Sequence, residues 1–489
     1  MNRRTFIQST GAAGLGLSRL GLTETGDTVS TLLKLLEDSP RERIPRELVG
    51  MIRAGLPYED LLAAVSLAAV RDVQPYPDVG FKYHSVMMLR SIHLTTRHLA
   101  PVDRWLPIIW AADYFKDAQA QERVSSGWRM PSRQAGASNG DPQAARRSLV
   151  TALDNWDRDA ADAAVVKYAQ VAHPDEIFAL LFPYGARDLR AIGHKAIAVS
   201  NAHSLITLFG GAHAQPILRS TVAALQNDDG GPNPARRDLQ PDRAWRQNRK
   251  RIAQIPPSWK QGRDDPGARS ELRAALYRVS DEEVGAVVVE VLRQGVSPDA
   301  VWQVLFNTSA ELLMLQPGIL PLHAQTTANA LHYAYRVCSD EQTQQLMLLQ
   351  CAAFVAMFRG MTHAAATDLN LQELQPLPLD HAVAQTAWDE IFSDLSGGRR
   401  LQAARKTLGC LHTQDDAAST LIATARHHLV YNADEAHDYK FAEAMFDSYE
   451  QLSDPGWRYR FLSAGMAYFK APKPHPGPVV QEALELLSA

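Results

Sequence analysis

The sequence predicts an all-α fold: four pseudo-repeated three-helix units packed as one large helical body. Three observations carry that expectation. Apolar residues recur at three- and four-residue spacing along nearly the whole chain, the period of one helix face, while alternating β-branched runs are almost absent. Four segments overlay on one another, each entering an apolar helix through a short acidic turn, three of them with a proline. After each segment the chain breaks and a second helix starts on a histidine, with a third helix behind it.

Taken in order, the chain opens with MNRRTFIQSTGAAGLGLSRLGL. Arg3-Arg4-Thr5-Phe6-Ile7 ahead of a Gly/Ala-rich run resembles a twin-arginine export signal, although Arg19 interrupts the run and no small-x-small cleavage site follows. The resemblance implies that residues 1–30 are signal and linker. It also implies a periplasmic or otherwise exported protein, handled by the twin-arginine (Tat) export machinery, which carries folded cargo. No other stretch approaches the roughly 20 apolar residues of a membrane helix.

The first unit, 40–123, holds LPYEDLLAAVSLAAVRD (56–72) and then YHSVMMLRSIH from Tyr83, with His84 at the helix start. A polar loop, 124–148, follows. The second unit, 149–225, holds HPDEIFALLFPYGARD (173–188) and GHKAIAVSNAH, with His194. Residues 226–267 are rich in Gly, Pro and Arg and read as a long solvated loop. Its Arg243, Arg246, Arg249, Lys250 and Arg251, with Trp245 and Trp259, offer an anion patch that mixed charges dilute. The third unit, 268–363, holds SPDAVWQVLFNTSAELL (297–313) and LHAQTTANALH, with His323. The fourth, 379–489, holds TQDDAASTLIATARHH (413–428) and AHDYKFAEAMF, with His437. These four histidines are 110, 129 and 114 residues apart, and AADYFK ending at Lys116 matches GMAYFK ending at Lys470.

The spacing decides which histidines can meet. His84/His93, His194/His203 and His323/His332 are each nine apart, which on a helix is about 900° and leaves the two rings on opposite sides. The same position from four units can converge instead, so His84, His194, His323 and His437 are the candidate metal ligands. Asp72, Asp188, Glu311 and His427, near the ends of the preceding helices, are their candidate companions. Imidazoles and carboxylates converging from facing helices are the ligand set of iron, manganese or zinc, and iron is the first expectation. A helix N-terminus also disfavours imidazolium and keeps the ring in its metal-binding form. His93, His203 and His332 face away and are expected to pack. Asp438, Tyr439 and Lys440 are candidate proton-transfer groups, as are Asp113, Tyr114 and Lys116.

Other chemistries are disfavoured. A formal charge of −4 points to no nucleic-acid partner, and Cys338, Cys351 and Cys410 are too scattered for a disulfide framework or a cysteine-only zinc site. No Gly-rich phosphate loop, GxSxG or HExxH motif occurs.

The GHKA-type histidine helix at His194 and GGAHAQP around His213 resemble segments of the questin oxidase-like proteins, helical enzymes that insert oxygen into aromatic polyketides. The resemblance implies an oxygen-using oxidoreductase. With the histidine column it leads to a metal-dependent oxidoreductase, of oxygenase or oxidase type, acting on a small organic substrate in a central His/Asp/Glu-lined pocket. The alternatives are a helical-repeat scaffold without catalysis and a zinc-type hydrolase using the same ligands.

Overall fold

The computed structural model describes residues 25–76, 79–133, 140–187, 189–228, 230–362, 369–379 and 384–489. The export motif at the N-terminus lies outside the described residues. Among the described residues twenty-three α-helices run from Thr25–Asp38 to Pro478–Ser488 and no strand forms. A single bridge between Arg263 and Val296 is the extended pairing present.

The turns read from the sequence do start helices. Pro57 precedes Tyr58–Asp72; His173 caps Pro174–Gly185 through Nδ1, which accepts from the Asp175 amide; Ser297 caps Pro298–Leu315 through Oγ. Proline at the first helical position satisfies the geometry without wasting an amide, and the cap oxygen or nitrogen takes up an orphan N–H. The fourth turn opens Ala417–Asn432.

Four inner helices carry the candidate histidines: His84–Met87 continued by Leu89–Thr96, then His194–Phe209, Ile319–Val337 and Ala436–Gln451. They pack in cyclic order, the first against the second and on round until the fourth returns to the first. A polar tie crosses every interface. Asn201 accepts from the Arg90 amide (2.8 Å) and donates to the Val86 carbonyl (3.0 Å), taking both groups of one helical bond and breaking the first helix at Met88. Ser200 donates to the Ala330 carbonyl, Asn329 to Asp447, and Arg90 and Thr95 reach Asp447 and Glu443. Tyr58–Asp72, Pro174–Gly185, Pro298–Leu315 and Ala417–Asn432 pack beside the inner helices that follow them.

Four expectations change here. The stretch 124–148 is helical from Pro142, where Asp141 caps Pro142–Asp154. The stretch 226–267 is not a loop throughout: Gln240–Arg251 is an α-helix, because Ala244, Trp245 and Asn248 form a buried face while its arginines stay outward. Of the four histidines, His84 and His194 open their helices and His437 is second in its own. His323 lies one turn inside, because its helix begins at Ile319. Lys470 lies beyond the short 3-10 turn Gly465–Ala467, whereas Lys116 is mid-helix, so the two YFK segments differ in conformation. Among the described residues one helix, Glu341–Thr362, is long and apolar enough to cross a membrane, but 78% of its apolar window is buried inside the protein, as in a core helix. The three cysteines are free and buried.

Candidate metal centre

The cyclic packing brings the four imidazoles into a ring. His84 meets His194 at 5.0 Å between centroids, His194 meets His323 at 4.5 Å, His323 meets His437 at 5.0 Å and His437 meets His84 at 4.3 Å, all edge to face. One nitrogen from each lies within 4.8 Å of the others.

The outer nitrogens explain the orientation. His84 Nδ1 donates to the Phe81 carbonyl (2.8 Å) and His323 Nδ1 to the Ile319 carbonyl (2.7 Å). His437 Nδ1 donates to Glu435 Oε2 (3.2 Å). A neutral imidazole has one N–H, so in these three the proton is on Nδ1 and the Nε2 lone pair faces inward. His194 Nε2 then donates to His323 Nε2 (2.8 Å), and the Nε2 atoms of His84 and His437 are buried without a partner. Buried polar atoms are seldom left bare, and here two of them belong to the same ring of histidines.

Electrostatics keeps the rings neutral. Burial holds His84, His194 and His323 well below the ordinary imidazole value, reinforced by Lys440 and the neighbouring rings. His437 is lowered by burial too, with Glu435 opposing. Lys440, one turn after His437, is fully buried with no partner for Nζ, and burial lowers it to about 7.

The approach of the helices depends on Gly193, which precedes His194 with φ +84°. A Cβ there would stand 1.7 Å from Thr327 Oγ1, on the turn after His323.

The candidate companions go elsewhere. Asp72 is held by Gln119 (2.6 Å) and Arg129 (2.8 Å). Glu311, raised by burial, is held by Arg273, Tyr277 and the Leu371 amide. His427 is exposed and lies against Tyr431. Asp188 lies outside the described residues. Among the described residues the ligand group consists of the four histidines alone. Asp438 accepts from the Asp434 and Glu435 amides and pairs with Lys470 at 3.2 Å, so it caps its helix. Tyr439 packs on Trp110 at 5.0 Å, on the side of the helix away from His437, and its hydroxyl is unpartnered. Of that trio Lys440 alone shares the histidine side. Asp113 pairs with Arg41 and Lys116 donates to the Leu36 carbonyl.

The second column packs on aromatic rings, as expected: His93 on Tyr58, His203 on Phe178 and Phe182, His332 on Trp302 and Phe306. His213 stands in a half-exposed turn. Sequence reasoning missed Glu435, which caps the Ala436–Gln451 helix through the Asp438 amide. The signal was present as an acid three residues before another acid at a helix start.

No family model, curated protein or solved structure matches the chain.

Proposed function

We propose that His84, His194, His323 and His437 bind one divalent transition-metal ion and that the protein is a metal-dependent oxidoreductase, of oxygenase or oxidase type, acting on a small organic molecule. The observation that carries the reading is the ring of inward nitrogens within 4.8 Å of one another, two of which are bare and buried. With metal–nitrogen bonds of about 2.0–2.1 Å, a square set needs neighbouring nitrogens about 2.9 Å apart and opposite ones about 4.1 Å apart. The Nε2 atoms of His194 and His323 are already 2.8 Å apart. A redox-active ion held there would supply electron transfer to oxygen or polarise a bound substrate.

The chain's own residues do the rest. Phe81 and Ile319 carbonyls and Glu435 hold three rings in the binding tautomer, and His194 must shift its proton from Nε2 to Nδ1 to join them. Lys440 can accept a proton near neutral pH beside the ring. Similar units from an internal fourfold repeat would account for four equivalent histidines meeting in chain order.

Elemental analysis of the purified protein tests this. The expected result is about one equivalent of iron, or of another redox-active metal, whose absorption spectrum changes with reductant and air. Zinc alone, silent to reductant, would favour the hydrolase. Less than about a tenth of an equivalent, unrestored by iron, manganese or zinc, would leave the helical scaffold.

A further inference from the structure

Lys440 follows His437 by one helical turn and so lies on the same side of the helix Ala436–Gln451. It is 3% exposed, and its Nζ is buried with no hydrogen-bond partner. Its charge acts on His84, His194, His323 and His437 alike, which puts the amine beside the whole ring rather than beside one member of it.

An ammonium group in that place needs a carboxylate, and those of the same helix end are committed. Glu443, one turn further along the same side, forms two bonds of 2.9 Å with Arg426 and accepts from Thr95. Glu435 holds His437 and the Tyr468 hydroxyl, and Asp438 holds two amides and Lys470. A buried charge without a partner is costly, so the side chain is a neutral amine with its lone pair free. The ring has the opposite shortage. Its four ligands are neutral, and Asp72 and Glu311 are held by other donors, so an ion there would keep its full charge in buried surroundings.

We propose that carbon dioxide converts Lys440 to a carbamate and that the carbamate is an anionic oxygen ligand for the ion on the histidine ring. The proposal rests on the reading that the ring holds a metal. The step balances without an oxidant: the Nζ lone pair forms an N–C bond, one C=O π pair moves onto oxygen, and an N–H proton passes to solvent base. The amine gains a partner and the ion gains a negative charge. The second carbamate oxygen keeps the proton-accepting role of the free amine.

Zinc is the probe, because it is redox-silent and diamagnetic. Metal-stripped protein is titrated with zinc in carbon-dioxide-free buffer and again with carbon-13 hydrogencarbonate at the same pH, and carbon-13 NMR is recorded on the loaded sample. Zinc should bind about tenfold or more tightly with hydrogencarbonate present. The loaded protein should show a carbamate carbon signal, and Lys440→Met, which fills the same space without an amine, should show neither effect. The wild-type comparison needs no variant to fold. Zinc bound equally well in both buffers, no carbamate signal from zinc-loaded wild type, or a signal undiminished in Lys440→Met would each overturn the carbamate and leave the metal reading standing. No zinc bound in either buffer would remove the metal reading and the carbamate with it.

Discussion

Gly193→Ala tests whether the meeting of two helices makes the ring. At φ +84° an alanine costs about 1–2 kcal/mol, and its Cβ would lie 1.7 Å from Thr327 Oγ1 and 2.8 Å from both Cβ and Cγ2. Rotating Thr327 can swing Oγ1 away but cannot move its Cβ, which stays at 2.8 Å. The helices must therefore part by roughly 0.2–0.6 Å, at an overpacking cost of about 1–3 kcal/mol more, for a total of about 2–5 kcal/mol. A metal site tolerates about 0.2 Å, so His194 and His323 would no longer serve one ion. Gly210→Ala is the control for metal content: φ is +70° with ψ −171°, a backbone essentially reserved for glycine, and a Cβ meets nothing within 4 Å, so a loss of about 1–3 kcal/mol with full metal content is expected. Urea unfolding and metal analysis of both variants decide the matter. Gly193→Ala as stable as wild type, or still fully loaded, would refute the argument.

Two further outcomes follow from the same contacts. His332 is buried on Trp302 and Phe306 and its pKa is lowered to about 3, so the unfolded chain binds a proton there that the folded one does not. Its contribution is fully present above about pH 6.5 and falls by up to about 1.4 kcal/mol per unit as pH drops toward 3; urea midpoints should fall less steeply with acid in His332→Leu. Glu435→Gln keeps an oxygen for the Asp438 amide and so should leave stability near wild type, while metal affinity by chelator competition falls about tenfold. Equal losses of stability and affinity would make Glu435 a cap and nothing more.

The helical class and the four convergent histidines were legible because both are periodic: helix faces repeat every few residues, and the histidines recur at matching places after each acidic turn. The companions were not. Asp72 sits where the overlay puts a ligand and Glu311 one residue away from that place, against Arg187, but a buried carboxylate goes to the nearest strong donors, and Arg129 with Gln119 and Arg273 with Tyr277 supply them. Those donors come from other segments, 38 to 57 residues away along the chain for the two arginines, so local spacing says nothing about them. The Phe81 and Ile319 carbonyls were illegible for a different reason, since any residue has a carbonyl.

The swap of carboxylates for a carboxylate-free ring changes what the site can tolerate. Four neutral imidazoles leave a divalent ion its full charge in buried surroundings, where charge is costly. A cation beside it would add repulsion, and Lys440 avoids that by burial, which brings its amine to about 7 and lets it lose the proton at little cost. Among the described residues the carboxylate bonded to a ring histidine is Glu435, acting through His437 alone. One ligand of the four is thus made a stronger donor than the rest, and its polarising partner is half-open to water, with Tyr468 on its other oxygen. Were an ion bound there as proposed, a change in its charge would be felt first along His437 and Glu435, on the side of the ring nearest solvent.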